Sequence, residues 1–359
     1  MKKLNIAIFF GGCSSEYHVS LESAEAVVRS LNTELYQPVL VGISKTGEWY
    51  CFRGDPEKIG KDCWLNETDC VPAVLSPNSH GRGLLLLEKG EVKRILVDAA
   101  LPVMHGKFGE DGTIQGMIEM AGIPLVGCGV LASALCMDKE RAHKLARAFG
   151  IAVPESIVLK ADDNKDTWSP AGSRMKQVLE FCKKVGYPVF VKPLRAGSSF
   201  GITKVTEEDK LWEALALAFQ YDDHAVLEEG IEGFEVGCAV LGCDDLTVGE
   251  VDEIQLSQGF FDFKEKYSLE TSSIHVPARV EPEVSCRIKE TAKTLYRALG
   301  CAVFARVDMF LTPEGNIIFN EINTIPGFTE HSRYPGMMRA AGVEFPELLD
   351  RMIRLAVKE

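Results

Sequence analysis

An apolar run at residues 6–10 leads directly into Gly11 and Gly12, and this junction constrains the fold more than any other part of the sequence. A short apolar run that ends at glycine is typical of a buried strand. Apolar residues then recur at helical spacing from Leu21 to Leu31, and a second strand candidate follows at residues 39–45. This β-α-β order predicts an open α/β domain at the N-terminus.

The glycine turn after the first strand lacks the G-x-G-x-x-G pattern of dinucleotide-binding sites. It carries a carboxylate, Glu16, at the place where the backbone of such a site would approach phosphate. A dehydrogenase is therefore disfavoured. On the local sequence alone, Glu16 also fits the first turn of the following helix, where the helix dipole favours an acid.

Composition narrows the possible partners. The 359-residue chain is long enough for two or three domains, and its net charge of −13 argues against binding nucleic acid or an anionic membrane surface. No run approaches the ~18 apolar residues of a membrane helix, and the first apolar run is too short for a signal peptide. The eleven cysteines lack metal-binding spacing and indicate small core residues of a reducing cytoplasm.

Two strand candidates near the C-terminus, residues 303–310 and 316–323, flank the turn sequence TPEG and predict a β-hairpin. If residues 312 and 315 pair, Arg306 lies opposite Glu321. Alternation of side chains then puts Arg306, Asp308, Glu321 and Asn323 on one face. Carboxylate and amide oxygens suit Mg²⁺, and the arginine would face developing negative charge. A solvated face with cross-strand ion pairs is the alternative.

The segment at 192–201, KPLRAGSSFG, predicts a phosphate-binding loop between two short strands. Glycine amides and the hydroxyls of Ser198 and Ser199 can cradle an anion, and Lys192 adds a positive charge. Lys139, at the start of a helix that Asp138 caps, is a solvated lysine unless a nucleotide lies nearby. A polar hairpin turn has a similar composition to the glycine loop.

An acidic segment, LEEGIEGFE, places Glu228, Glu229 and Glu235 around a short strand. These acids could bind an adenine amino group and ribose hydroxyls, although a surface acidic cluster has the same composition. Residues 255–280 form a long irregular segment, which in compact proteins is usually a lid or a disordered region.

The chain resembles the D-alanine–D-alanine ligases and their vancomycin-resistance relatives, which belong to the ATP-grasp superfamily. The resemblance extends over nearly the whole length and rests on motifs that occur in order: HGKFGEDGTIQG (105–116), GVLASALCMDK (129–139), KPLRAGSSFGITKV, EKY (265–267), RVDMF and NEINTIPGFTEHSRYP.

The resemblance implies an α/β and α+β protein with three-domain ATP-grasp architecture. A Rossmann-like substrate-binding domain would span residues 1–127, a central domain 128–228, and a C-terminal domain 229–359 with a lid at about 255–280. It also implies a cytoplasmic homodimer that uses ATP and two Mg²⁺ or Mn²⁺ ions to make a peptidoglycan precursor, in ordinary wall synthesis or in vancomycin resistance. D-Alanine and a second D-amino acid would be the substrates.

The resemblance assigns roles to matching residues. Glu16 would hold the ammonium of the first D-alanine, with His105 beside the same substrate. The ATP contacts would be Lys139, Lys192, Ser198, Ser199, Glu228, Glu229, Ile231 and Glu235. Asp308, Glu321 and Asn323 would bind the metal ions. The tetrahedral intermediate would be stabilised by Arg306 and the amide of Gly327.

The lid residues Lys266 and Tyr267 would close over the site, where Tyr267 would bond Ser198 and connect to Glu16. Ser332 would contact the second substrate. Arg333 follows Ser332 where housekeeping ligases commonly have an apolar residue, whereas D-lactate ligases have the arginine but a histidine-bearing lid. Arginine with a Lys-Tyr lid is similar to the D-alanine–D-serine ligases of VanG-type resistance. The alternatives are a housekeeping D-alanine–D-alanine ligase and another ATP-grasp carboxylate–amine ligase.

Overall fold

The strands of this chain form three sheets, each covered by helices. The computed structural model describes residues 2–162, 172–197, 200–256 and 272–358. Ser198, Ser199, Lys266 and Tyr267 lie outside these ranges, as do residues 257–271 of the expected lid.

The first sheet has seven strands in the order β6-β5-β4-β3-β2-β1-β7. Its strands are β1 (Leu4–Gly11), β2 (Tyr36–Ile43), β3 (Trp49–Phe52), β4 (Cys70–Leu75), β5 (Gly83–Glu88), β6 (Glu91–Leu96) and β7 (Ala99–Pro102). β1 pairs in parallel with β2 and with β7, and the remaining pairs are antiparallel.

The first strand is buried on both faces because helices cover both sides of the sheet. Its helices are α1 (Tyr17–Ser30), α2 (Glu57–Gly60) and α3 (Thr113–Met120). Ile6, Ile8 and Phe10 pack in the same cluster as α1, while Ala7 and Phe9 pack with α3. Two-sided burial explains the unbroken apolar run. The predicted helix begins at Tyr17, one turn earlier than expected from residue 20.

The second sheet is antiparallel and has the order β10-β9-β11-β8. Before it come α4 (Val130–Met137) and α5 (Lys139–Ala148), and α5 begins where the sequence predicts, with the Asp138 carboxylate accepting a hydrogen bond from Arg141 N at 3.0 Å. The sheet and its covering helices are β8 (Ser156–Lys160), α6 (Ser173–Val185), β9 (Val189–Pro193), β10 (Thr203–Val205), α7 (Leu211–Ala218) and β11 (His224–Glu229).

The third sheet has the order β15-β14-β12-β16-β17, and β13 also pairs with β12. Its strands are β12 (Phe234–Leu241), β13 (Thr247–Val248), β14 (Asp252–Leu256), β15 (Ser272–His275), β16 (Phe304–Leu311) and β17 (Ile317–Asn323). Part of the expected irregular segment 255–280 is therefore regular, because Gln255 pairs with Ser273 across β14 and β15.

Three C-terminal helices cover this sheet: α8 (Pro282–Ala298), α9 (Arg333–Ala340) and α10 (Phe345–Lys358). α8 packs on one face, where Ile288 and Leu295 contact the cluster of Val307. On the other face, α9 and α10 belong to the same buried cluster as α1. Ile288, Ala292 and Leu295 recur at helical spacing and form the buried face of α8.

The mixture of a partly parallel α/β sheet with two antiparallel sheets confirms the predicted fold class. All eleven cysteines are free. Cys13, Cys63 and Cys286 are exposed, so the expectation that the cysteines are core residues is wrong for these three. Among the described residues, no helix is both long and apolar enough to cross a membrane.

Candidate active site

The hairpin of β16 and β17 has a different register from the one expected. Its loop has three residues, because Thr312 N donates to Asn316 O at 3.0 Å. Gly315 lies at φ +80°, a left-handed conformation typical of the last position in such loops. This loop alone would put Ile322 opposite Arg306; with one extra residue in β17, Arg306 faces Asn323, not Glu321.

A bulge restores the shared face. Met309 pairs with Phe319 but Asp308 pairs with Glu321, so Asn320 is an extra residue on β17. Without it, Asn320 would lie opposite Asp308, and Glu321 would project from the other face. The bulge therefore puts Arg306, Asp308, Glu321 and Asn323 together.

The centre of this face is buried, which rules out a solvated hairpin surface at Arg306 and Asp308. Asp308 is 1% exposed and accepts hydrogen bonds from Arg306 Nη2 at 2.6 Å and from Asn323 Nδ2 at 2.8 Å. Burial lowers the pKa of Arg306, but the charge and hydrogen bonds of Asp308, together with the charge of Asp252, raise the pKa above its ordinary value. The donor set of two carboxylates and one amide oxygen fits a hard divalent cation.

Two buried lysines lie beside the metal-binding candidates. Lys139, at the first position of α5, donates to Ala196 O at 2.9 Å, and its Nζ is 3.8 Å from Glu321 Oε2. Lys139 is therefore not a solvated lysine. Lys192 Nζ is 2.7 Å from Glu228 Oε2 on the neighbouring strand.

The charges around Lys192 are mostly acidic. Burial lowers its pKa, but Glu228 and, less strongly, Glu321 and Glu235 outweigh burial, so the pKa lies above its ordinary value. A charged lysine in this position suits the phosphates of a nucleotide.

Glu16 lies at the meeting point of three segments. It is 4% exposed, and a Cβ atom built on Gly106 would lie 2.4 Å from its Oε2. A Cβ atom on Gly197, in the glycine loop, would lie 2.8 Å from the same oxygen. The loop expected to bind phosphate thus touches the carboxylate expected to bind an ammonium group.

His105 is buried close to Glu16. Its Nδ1 is 2.9 Å from Ile325 O, and its Nε2 is 3.4 Å from Ser23 Oγ. A carbonyl oxygen only accepts, so Nδ1 carries the ring proton. Burial lowers the pKa of His105 to about 4, and the ring is neutral at physiological pH.

Glu110 is a buried acid that the sequence reasoning missed. It accepts hydrogen bonds from Gly106 N at 2.7 Å and from Ile325 N at 3.4 Å. Burial, followed by the charge of Glu16, raises its pKa to about 8. Its position within HGKFGEDGTIQG was the available signal, since only the histidine of that motif was singled out.

One cavity connects these groups. It is lined by residues of the substrate segment, the lysine helix, the glycine loop and the hairpin, among them Glu110, Lys139, Gly197, Glu321 and Asn323. The cavity therefore lies between the candidate positions for phosphate and for a metal ion.

The expected second-substrate residues lie next to the hairpin. A Cβ atom on Gly327 would lie 2.9 Å from Ser332 Oγ, which accepts a hydrogen bond from Thr329 N at 3.0 Å. Gly327 and Ser332 are thus adjacent, as the expected roles require.

Arg333 is held by three carboxylates. Its Nε and Nη2 donate to Asp252 at 2.7 and 2.8 Å, and its Nη1 donates to Glu235 Oε1 at 2.8 Å. Nη1 also lies 3.3 Å from Asp308 Oδ1. Asp252 is fully buried, so Arg333 does not pair with a surface acid. Sequence reasoning missed Asp252, an acid in an ordinary strand pattern.

The expected adenosine contacts lie in different surroundings. Glu228 is buried beside Lys192, whereas Glu229 accepts a hydrogen bond from Glu155 N at 2.9 Å. Ile231 lies in the connection between β11 and β12, and Glu235 bonds Arg333. Glu228 is therefore not part of a surface acidic cluster.

Family models and known relatives match this chain over nearly its whole length. The family described as D-ala D-ala ligase N-terminus matches residues 5–128, and that described as D-ala D-ala ligase C-terminus matches residues 145–354. The vancomycin B-type resistance protein VanB of Enterococcus faecalis is 45% identical over 100% of both chains. A putative D-alanine–D-lactate ligase of Streptomyces coelicolor is 46% identical over 99% of both chains.

Among solved structures, the VanG D-Ala:D-Ser ligase from Enterococcus faecalis has a TM-score of 0.88 and 50% identity, and the match covers 99% of this chain and 100% of that one. Similarity of this extent includes both family regions and all three sheets. The chain belongs to the D-alanine–D-alanine ligase family, whose members are ATP-dependent ligases with the ATP-grasp fold.

Proposed function

We propose that the protein joins D-alanine to D-serine through a D-alanyl phosphate intermediate. The observation that supports this proposal most directly is the contact of Glu16 with Gly197. It brings an anchor for an amino acid's ammonium group to the loop that would hold the ATP phosphates. A carboxylate activated by phosphorylation needs this proximity.

The first step transfers the γ-phosphoryl group of ATP to the carboxylate of D-alanine. Glu16 holds the ammonium group by charge, and the neutral His105 beside it adds no competing positive charge. Lys192 and Lys139 offset the negative charge that accumulates as two anions approach each other. Acyl phosphate formation turns a poor electrophile into a good one.

We propose that Asp308, Glu321 and Asn323 hold two Mg²⁺ or Mn²⁺ ions. The burial of Asp308, the hard oxygen donors of all three residues and their position near Lys139 and Arg306 fit a divalent cation. When bound, such ions would offset the negative charge of the nucleotide phosphates. The chain's own contribution is to fix these oxygens on one face of the hairpin.

In the second step, the amine of the second D-amino acid attacks the carbonyl carbon of the acyl phosphate, and inorganic phosphate leaves as the tetrahedral intermediate collapses to the amide. The guanidinium of Arg306 and the amide of Gly327 stabilise the tetrahedral oxyanion, and such preorganised donors typically contribute ~3–4 kcal/mol. Ser332 contacts the carboxylate of the second substrate. A lid containing Lys266 and Tyr267 would exclude the water that hydrolyses acyl phosphates.

The D-serine preference rests on Arg333 and on the 50% identity to the VanG D-Ala:D-Ser ligase. Arg333 shapes the second site through Asp252, Glu235 and Asp308, which leave its side chain in one orientation. A polar site rejects a substrate that lacks the expected hydroxyl more strongly than an apolar site rejects an added one.

The proposal extends to the domain boundaries, the oligomeric state and the cellular role. We propose three domains, 1–127, 128–228 and 229–359, which the separation of the three sheets supports. We also propose a cytoplasmic homodimer that makes the dipeptide of a peptidoglycan precursor in vancomycin resistance, a role supported by the similarity to VanB.

The test measures phosphate release from ATP and Mg²⁺ with D-alanine alone, with added D-serine and with added D-lactate, followed by mass spectrometry of the products from pH 6 to 9. We expect D-alanyl-D-serine to dominate when both amino acids are present in equal amounts. Predominant D-alanyl-D-alanine would favour the housekeeping ligase instead. Phosphate release that does not depend on D-alanine would refute the ligase proposal.

A further inference from the structure

Glu228 has one carboxylate oxygen without a hydrogen-bond donor. Its Oε2 is 2.7 Å from Lys192 Nζ, but its Oε1 is one of only two buried side-chain oxygens in the described ranges that have no partner. The side chain is 2% exposed. A buried acceptor without a hydrogen bond destabilises the folded protein. A bound ligand that donates a hydrogen bond to Oε1 would remove this cost.

His143 presents a second acceptor to the same place. Its Nδ1 is 3.9 Å from Glu228 Oε1, which is beyond hydrogen-bond length. Its Nε2 lies 2.8 Å from Asn320 O, a carbonyl that can only accept, so Nε2 carries the proton of the neutral ring. Nδ1 is then an acceptor that lies 3.9 Å from a carboxylate oxygen without a partner.

The neutral ring follows from its surroundings. His143 is 3% exposed, and burial lowers its pKa more than the charge of Glu228 raises it. The ring is also fixed in orientation, because it packs edge-on against Phe319 at 5.5 Å between ring centroids. The two acceptors are therefore held in place by the fold.

A single amino group satisfies both acceptors. Two acceptors 3.9 Å apart can each lie at an ordinary hydrogen-bond length, about 2.9 Å, from one nitrogen that carries two hydrogens. The 6-amino group of adenine is such a donor. A 6-oxo purine would place a third acceptor between the two and would be repelled.

We propose that His143, together with Glu228, recognises the 6-amino group of the ATP base and selects against 6-oxo purine nucleotides. The inference rests on the proposed function because it takes Glu228 as part of the nucleotide site. It adds a specificity-determining residue, His143, on a helix that the sequence reasoning connected with phosphate alone.

The test uses inosine triphosphate, which carries oxygen where ATP carries the 6-amino group. Binding of each nucleotide with Mg²⁺, in the absence of amino acids, is measured by calorimetry for the full-length wild-type chain and three variants. His143→Gln keeps a donor near the position of Nε2 and removes Nδ1. His143→Asn keeps an acceptor near the position of Nδ1, and His143→Leu removes both.

We expect the preference for ATP over inosine triphosphate to fall about five- to tenfold in His143→Gln and His143→Leu, the effect of one lost hydrogen bond. His143→Asn should retain most of the preference. An unchanged preference in the Gln variant, or equal weakening of both nucleotides, would overturn the inference. Because calorimetry needs no turnover, a wild-type chain that prefers ATP but makes no dipeptide would refute the ligase proposal alone.

Discussion

Glu16 is a buried charge whose position depends on two glycines remote in the chain. A side chain on Gly106 or Gly197 would displace its carboxylate, since a Cβ atom at either position lies within 2.8 Å of Oε2. A buried carboxylate in contact with the glycine loop suits a site that a substrate ammonium group completes. The choice between this role and a helix-dipole role was open in the sequence, because both glycines are distant.

Glu16→Gln tests this role at the residue scale. Removing the charge while keeping the shape should lower kcat/KM for D-alanine about 10- to 100-fold, the value of a hydrogen bond to a charged group, with little change in ATP affinity. Steady-state phosphate release gives both quantities. The control is Glu22→Gln, an exposed glutamate on α1. Undiminished efficiency in Glu16→Gln would exclude the anchoring role.

His105 makes a pH-dependent contribution to stability. Its pKa is lowered from an unfolded value of 6.5 to about 4 by burial, so the unfolded chain binds the proton more readily between these values. Stability from this group is present above pH 6.5 and is lost as the pH falls toward 4.

The measurement is urea unfolding at pH 7 and pH 4.5 of the wild-type chain and His105→Gln. The wild-type chain should lose about 2–3 kcal/mol more than the variant across this interval, from two pH units at 1.36 kcal/mol each. Parallel losses in the two proteins would show that folding does not lower the pKa of His105.

At the scale of elements, α1, α5 and the β16–β17 hairpin show how far local sequence reasoning reaches. The Asp138 cap and the helical periodicity of α5 involve neighbouring residues, and both were predictable. The bulge at Asn320 was not, because it compensates for a three-residue loop through the pairing of two strands. The prediction that the four side chains share one face assumed a strand register that is wrong. The extra residue Asn320 returns Glu321 to that face.

Gly315 is the element-scale test of that loop. Its φ of +80° disfavours any residue with a Cβ atom, so Gly315→Ala should lower the free energy of unfolding by about 1–2 kcal/mol. The matched control is Gly336→Ala within α9, where a Cβ atom meets no other atom within 4 Å. There alanine should stabilise by up to about 1 kcal/mol. Equal effects in chemical denaturation would contradict the loop assignment.

At the scale of the whole molecule, the C-terminal helix α10 joins regions that begin and end the chain. Leu348 and Met352 belong to the same buried cluster as α1, and Tyr36 on β2 donates to Asp350 Oδ1 at 2.6 Å. The amphipathic pattern of such a helix can be read from sequence, but its packing partner cannot. The Arg333 network was missed for the same reason, since its carboxylates come from three strands.

Met352→Ala tests this long-range packing. Met352 is fully buried, so truncation should cost about 2–5 kcal/mol and lower the melting temperature of the first and third sheets together in one transition. Met120→Ala is the control, because Met120 is 63% exposed. Separate transitions in calorimetry would show that α10 does not couple the two regions.

The extra residue, Asn320, has two structural effects. Its insertion turns Glu321 toward Asp308, and its own carbonyl fixes His143 beside Glu228. A one-residue deletion here would therefore turn Glu321 away from Asp308 and also remove the carbonyl that holds His143, so a single change in hairpin length would alter two parts of the candidate site.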